Sequence, residues 1–289
     1  MTQPAFLALL LAAATRVGAA DYICDNCAKW NTPQKPFNVY GNTWYVGTKY
    51  LSSILITSPK GHILIDGDLP QSAPLIAANI RTLGFKVEDV KLILNSHAHS
   101  DHAGGIAELA QLSGAEVAAM PFSAAQMHDG NPDDAQFGKE VPYPTVAKVR
   151  EIKAGEVQRV GDLALTPHAT PGHTLGSTSW TWQSCDSGQC HDMVYADSIT
   201  APGFQLIGNP RQPDAVAEFK KTFSTIASLH CEVLMTPHPD ASDLLERAAA
   251  RDAGDASQLI DRKSCRNYAA KMRKHFETQL SAERKGKKP

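Results

Sequence analysis

The chain has 289 residues, of which 43% are apolar, enough for one large layered domain with a sizeable core. Lys and Arg (28) nearly balance Asp and Glu (30), and a formal net charge of -2 excludes a protein that tracks nucleic-acid phosphates. The basic run at 284–288 reads as a solvated helix end rather than a nucleic-acid patch.

Residues 1–19 read as an export signal, with cleavage expected after 19 or 20. The apolar run at 6–14 is shorter than the about 20 residues that span a bilayer, and small residues follow it. The remainder, 20–289, is expected to form a single domain in the periplasm. No later segment is apolar enough to cross a membrane. Six cysteines, an even number, suit disulfides in an oxidising compartment. The local pairs would be Cys24–Cys27 and Cys185–Cys190, leaving Cys231–Cys265. Half of a zinc knuckle is the other reading of Cys24 and Cys27, so the pairing of those two stays open.

The first elements are strands. Runs at 43–46, 53–57 and 62–66 are rich in β-branched and aromatic residues, and the turn at 59–61 marks a hairpin between the last two. A helix is expected over 73–83, closed by Gly84. A buried strand over 90–94 leads into 95–102, and a helix begins near Ala103 or Gly104. In the second half, strands are expected at 115–119, 146–152, 163–166, 178–182, 193–196 and 232–235. Trp180 and Trp182 alternate along one of them and read as core. Helices are expected at 214–229, 244–251 and 264–282, and a loop at 129–144. Strand clusters with helices at intervals suggest sheets covered by helices on their outer faces.

The strongest chemical signal is His97-Ala98-His99-Ser100-Asp101-His102, directly after an apolar strand. Imidazole suits zinc, and a carboxylate can complete a second site. His97 and His99 point the same way from an extended segment, so they can share one ion. Asp101 and His102 lie past the bend into the helix and can turn to a neighbouring ion. His173, in Pro171-Gly172-His173-Thr174, and His238, after a strand in Thr236-Pro237-His238-Pro239, sit where ligands gather at strand ends. His62, His128, His168, His191, His230 and His275 read as surface or packing residues.

The pattern His-x-His-x-Asp-His, then Pro-Gly-His-Thr, then a late His after a strand, resembles the metallo-β-lactamase superfamily. It is more narrowly similar to the subclass B3 metallo-β-lactamases. The stretches that carry this are 40–47, 61–67, 169–174, 196–198 and 236–239. The resemblance implies a four-layer αββα sandwich with two zinc ions at one edge. His97, His99 and His173 would hold the first, and Asp101, His102 and His238 the second. The Cys231–Cys265 pair also fits the subclass.

It implies hydrolysis of the β-lactam amide bond by a hydroxide bridging the metals, with a small-molecule substrate and a chain acting as a monomer. Asp101 would orient the hydroxide and accept its proton. Ser198 would stand where thioesterase and lactonase relatives place a bridging carboxylate, and a one-residue slip would put Asp197 there instead. Ser198 and Thr200 would meet the substrate carboxylate, and Asp66 would be either the superfamily's brace for the ligand loop or an ordinary turn aspartate. Phe204 lies where some relatives carry Tyr, and Lys49 and Tyr50 replace an expected Gly-rich loop bordering the pocket. The rival readings are a dinuclear zinc lactonase or thioesterase, and a non-enzymatic periplasmic metal binder.

Overall fold

The computed structural model describes residues 22–130, 133–138 and 142–286; the expected signal at 1–19 lies outside them. A first sheet contains β1 (Phe37–Tyr40), β2 (Thr43–Tyr45), β3 (Ile54–Ile56), β4 (His62–Ile65), β5 (Val90–Leu94), β6 (Glu116–Ala119) and β7 (Val149–Glu151), side by side in that order. Neighbours from β1 to β4 are antiparallel, and from β4 to β7 parallel. The second sheet contains β8 (Gln158–Val160), β9 (Leu163–Ala169), β10 (Thr178–Asp186), β11 (Gln189–Tyr195) and β12 (Val233–Met235), antiparallel except for the β11–β12 pair. The helices are α1 (Cys27–Trp30), α2 (Ala73–Thr82), α3 (Ser100–Ala103), α4 (Ile106–Ser113), α5 (Pro121–Asp129), α6 (Ala215–Ser228), α7 (Leu244–Asp252) and α8 (Ser264–Arg284). Among the described residues, no helix is long and apolar enough to cross a membrane.

Alternation along the strands sorts the apolar side chains into layers. Ile54, Ile56, Ile63, Ile65, Leu92 and Leu94 face inward from the first sheet and meet Leu165, Trp180, Trp182, Met193, Tyr195 and Met235 from the second. The opposite face of the first sheet, with Leu55, Leu64, Ile93 and Val117, packs on Ile76 and Ile80 of α2 and Ile106 and Leu109 of α4. The opposite face of the second sheet, with Val194 and Leu234, packs on Phe219 and Phe223 of α6 and Met272 and Phe276 of α8. The result is the four-layer αββα sandwich. Strands β3 and β4 are buried on both faces, which is why their sequences are nearly continuous apolar runs.

Three features differ in extent from the sequence expectation, and α5 and β8 have no counterpart in it. β10 continues past Trp182 to Asp186 and forms a hairpin with β11, with Cys185 opposite Cys190 at its tip. The strand expected over 146–152 shrinks to β7, because Val146 gives its N–H to Met127 at the end of α5 instead of to a strand. The helix expected near 103 or 104 is two: α3, which starts at Ser100 and carries Asp101 and His102, and α4, which starts at Ile106 after the Gly104-Gly105 turn. The sulfurs of Cys24 and Cys27, of Cys185 and Cys190, and of Cys231 and Cys265 lie at disulfide distance.

The aromatic seam between α6 and α8 carries much of the second outer layer. Phe223 is fully buried, with ring centroids 6.1 Å from Phe219 and 5.4 Å from Phe276. Phe223→Ala is expected to cost about 3–5 kcal/mol through lost burial and a residual cavity. It should appear as a lower denaturant midpoint at an unchanged slope. At the start of β12, Glu232 accepts from His191 (3.0 Å), Arg262 (2.8 Å) and the Asp192 N–H (3.1 Å). Burial alone would raise this carboxyl, but the bonds from His191, Arg262 and Asp192 outweigh it and hold its pKa at about 2. A depressed carboxylate stabilises the fold above its unfolded pKa and loses that contribution as pH falls through the folded one. Glu232→Gln should therefore be less stable than the parent at pH 7, and the difference should shrink toward zero near pH 2, read from unfolding midpoints at several pH values.

Candidate metal centre

The ligand loop starts where β5 ends, and Asp66 anchors it. This residue follows β4 in a left-handed conformation (φ 62°) that costs a non-glycine side chain some strain. Its buried carboxylate takes the Ser96 N–H at 2.7 Å and Asn95 Nδ2 at 3.2 Å on one oxygen. The other oxygen takes the Ser96 hydroxyl at 2.6 Å and the Tyr195 hydroxyl at 2.8 Å. Burial raises the carboxyl to about 6, against the pull of His102 and these donors. The hydrogen bonds make Asp66 a brace for the loop rather than a plain turn residue. Asn95 then gives its amide to the His97 carbonyl at 2.7 Å, and Trp180 gives its indole N–H to the Asn95 carbonyl at 3.1 Å. A side chain at Gly105 would strike the Gly67 carbonyl, so the α4 start can only approach this loop without one.

Six side chains from distant segments converge here. His97 and His99 come from the extended run after β5, and Asp101 and His102 from α3. His173 comes from the turn between β9 and β10, and His238 from the residues after β12. The turn that carries His173 is buttressed by α6: Thr222 bonds the Pro171 carbonyl at 2.6 Å, and Phe219 fills the place where a Gly172 side chain would stand, at 2.9 Å. Gly172, at φ 145°, also has a backbone conformation that disfavours other residues.

Ligand atoms of His97, His99 and His173 all lie within 4.8 Å of one another. Those of His97, Asp101 and His102 do as well, so the two groups adjoin. Asp101 Oδ2 stands 3.3 Å from Nε2 of His102 and 3.3 Å from Nε2 of His238.

An imidazole can give a metal only the nitrogen that the protein leaves free. His97 Nδ1 bonds Asp197 at 2.8 Å, His173 Nδ1 donates to the Thr200 carbonyl at 2.6 Å, and His238 Nδ1 donates to the Tyr50 carbonyl at 3.2 Å. These three rings therefore turn Nε2 inward. His99 does the reverse: its Nε2 bonds Asp134, which leaves Nδ1. His97 Nε2 and both ring nitrogens of His102 are buried without a hydrogen-bond partner. Each unmet buried polar atom costs about 1–3 kcal/mol, a cost that a cation at this point would remove. Burial and the neighbouring histidines push His97 and His173 well below the ordinary imidazole range, so both stand as the neutral form that binds metal. Burial would raise Asp101, but His102 and His238 outweigh it and hold the carboxyl well below its usual range. The residues fit a metal centre.

The remaining candidates fall around this group. Asp197 directs its carboxylate to the rear of His97, away from the nitrogen that faces the centre. Ser198, next in the chain, is buried at 7% exposure, and Thr200 is exposed while its carbonyl holds His173. Phe204 is buried and stacks on Phe219 at 6.0 Å, so it belongs to the α6 layer. Lys49 and Tyr50 form the turn whose carbonyl holds His238. Asp134, from the loop at 133–138, is a partner of the centre that sequence reasoning missed; a lone loop aspartate carries no periodic or spacing signal. Phe137 beside it lays its ring 4.8 Å from that of His99. Of the other histidines, His168 bonds Thr181 at 2.9 Å, His191 pairs with Glu232, and His62 packs on Phe85. A separate cleft of about 830 Å³, lined by Thr57, Leu165, His168 and Trp182 among others, contains none of the six converging residues.

Asp66→Ala would strand the buried Ser96 N–H, at about 1–3 kcal/mol, and remove the acceptor of the Ser96 hydroxyl, while the Tyr195 hydroxyl keeps the Ser52 carbonyl. The expected outcome is a lower unfolding midpoint together with less bound metal per chain, measured on one preparation by calorimetry and elemental analysis.

Residues 46–238 match the family model of the metallo-beta-lactamase superfamily. The structure is similar to that of the Rm3 metallo-beta-lactamase, at 50% identity and a TM-score of 0.87, covering 90% of this chain and 99% of that one. It is similar also to MEM-A1, a subclass B3 metallo-beta-lactamase isolated from a soil metagenome library, at 49% identity and a TM-score of 0.86, covering 89% and 100%. Among curated proteins, the hydroxyacylglutathione hydrolase of Rhodopseudomonas palustris (strain ATCC BAA-98 / CGA009) is 40% identical over 128 residues, 44% of this chain. That match spans only 42% of the relative's length, less than half of it. Because the family model takes in five of the six converging side chains and ends on the sixth, His238, while both solved relatives are covered almost end to end, the chain belongs to the metallo-β-lactamase superfamily.

Proposed function

We propose that this chain hydrolyses the amide bond of β-lactams with two zinc ions. His97, His99 and His173 would hold one ion, and Asp101, His102 and His238 the other. The observation that carries the reading is the pair of adjoining ligand groups, whose rings are turned inward by bonds to Asp197, Asp134, Thr200 and Tyr50. Zinc bound there supplies a Lewis acid for the lactam carbonyl and ionises water near neutral pH. With a single carboxylate among neutral imidazoles, the loaded centre is positively charged and favours an anionic substrate, and β-lactams carry a carboxylate beside the ring nitrogen. Asp101 would orient the attacking water and accept its proton. Ser198 and Thr200 lie on the loop after β11 and offer hydroxyls to the substrate carboxylate.

Solved relatives described as metallo-beta-lactamases support this substrate class. A second reading, a dinuclear zinc thioesterase or lactonase, draws on the similarity to the hydroxyacylglutathione hydrolase. In that reading a carboxylate at 197 or 198 would bridge the metals. Here the carboxylate of Asp197 is engaged behind His97 and the next residue is Ser198, which favours the lactam reading. The same proposal takes the mature chain as an exported periplasmic monomer with three disulfides.

The test is hydrolysis of nitrocefin and imipenem by the mature chain, with and without EDTA, beside an acyl-glutathione thioester and an acyl lactone. Turnover of at least one lactam is expected, abolished by the chelator and restored by zinc. His99→Ala should lower kcat/KM by about 100-fold or more, the scale of losing a principal electrostatic stabiliser. Chelator-resistant turnover contradicts the metal reading, and a preference for the thioester or the lactone contradicts the lactam reading.

A further inference from the structure

The N-terminal segment belongs to neither sheet and to neither outer helical layer, yet it touches the centre at two points. Trp30, the last residue of α1, places its ring 5.6 Å from that of His238, tilted by 52°. Tyr22 shares a hydrogen bond of 2.8 Å with the Ser100 hydroxyl, between His99 and Asp101 in the ligand motif. The segment also holds the turn that fixes His238 from its other side. Thr48 Oγ1 donates to the Trp30 carbonyl at 2.6 Å, and the Lys49 N–H to the Thr32 carbonyl at 2.9 Å. The Tyr50 carbonyl, next in that turn, accepts from His238 Nδ1.

His238 needs such support more than its neighbours do. Its side chain is 31% exposed, against 1% for His102 and 10% for Asp101, the other members of its group. Packing by the core cannot fix a ring that is one-third open to solvent, so its orientation rests on the Tyr50 carbonyl, Asp101 and the His102 ring, with Trp30 on the outer side. Helix α1 has four residues and cannot hold its own shape. It is closed by the Cys24–Cys27 pair, and Cys27 is buried against Leu51 and Leu69. That pair, with the Thr48 and Lys49 bonds, closes the segment that carries Trp30.

We propose that the disulfide-closed N-terminal turn is the positioning element of the second metal subsite, acting through Trp30 on His238. This rests on the reading that Asp101, His102 and His238 hold a second zinc ion. Outer partners that orient a metal-binding histidine are worth about 10- to 100-fold in metal affinity. The affinities of the two subsites should therefore separate when the turn is loosened, because His97, His99 and His173 make no bond to it.

The experiment titrates zinc into metal-free mature chain against a chromophoric chelator, resolving two binding steps, with Asp101→Asn to identify the step that belongs to the second subsite. Trp30→Ala and the double variant Cys24→Ser/Cys27→Ser are each expected to weaken that step about tenfold or more and to leave the other within twofold. Trp30→Phe, which keeps an aromatic face on His238, should retain most of the parent affinity. Thermal unfolding of the metal-free variants reports whether they fold; if Trp30→Ala does not, Trp30→Leu and the cysteine double variant carry the test. Equal weakening of both steps, or no change in either, overturns the proposal. A parent chain that takes up only one zinc overturns the two-ion reading and the inference with it. A parent that binds two but cleaves no lactam overturns the substrate assignment alone.

Discussion

Four of the five imidazoles at the centre commit one ring nitrogen to the protein, which leaves only the other for an ion, and much of the arrangement follows from that constraint. An imidazole left free to rotate would present either nitrogen, and a buried one would leave an unmet polar atom whichever way it turned. Asp197, Asp134, and the carbonyls of Thr200 and Tyr50 settle the choice for four of the rings. His99 is the instructive case. It lies two residues from His97 and shares its side of the strand, yet it offers the opposite nitrogen, because its partner Asp134 reaches Nε2 from a separate loop. His102 alone has neither nitrogen hydrogen-bonded within the protein. It is fixed by packing, at 1% side-chain exposure, and by Asp101 beside it.

The sandwich explains why such a group can exist at all. Five histidines and an aspartate would be costly inside an ordinary core. Here they collect at one rim, where chain segments leave β5, β9 and β12 and no longer owe their hydrogen bonds to a ladder. Asp66 shows the trade at its clearest. A strained left-handed backbone and a buried carboxyl raised to about 6 are both unfavourable locally. In return, the four donors it gathers lock the first residues of the ligand loop to both sheets at once, through Ser96 on one side and Tyr195 on the other.

Much of this was readable from the sequence where the information is local. The apolar runs of β3, β4 and β5, the glycine turn between β3 and β4, and the alternation of Trp180 and Trp182 depend on nearest neighbours along the chain. The clustering of His97, His99, Asp101 and His102 is local too. What escaped depends on contacts between remote segments. Strand β8, Gln-Arg-Val, has no apolar alternation and is a strand only because β9 pairs with it. Helix α5 opens with Pro121 and closes on Gly130, punctuation that was legible, but its apolar residues lack a clear face. Asp134 and Trp30 stand 35 and 208 positions from the histidines they serve, and nothing in either local sequence announces the partner.

The distinction between Asp197 and Ser198 could not be made by pattern matching alone, because a slip of one residue exchanges an anion for a neutral hydroxyl. Burial and hydrogen bonding favour Ser198 as the residue facing the centre. Asp197 is fully buried and already holds His97 Nδ1, while Ser179 caps its own N–H at 3.0 Å. Moving that carboxylate between the ligand groups would break the bond to His97 and free the ring to turn. One residue therefore cannot both fix the first ligand and bridge the centre. With Asp197 behind the ring, the positive charge of a loaded site is reduced by Asp101 alone. That would leave a stronger field for a substrate carboxylate than a bridged site would offer, while Asp101 itself stays ionised in its buried place because His102 and His238 stand beside it.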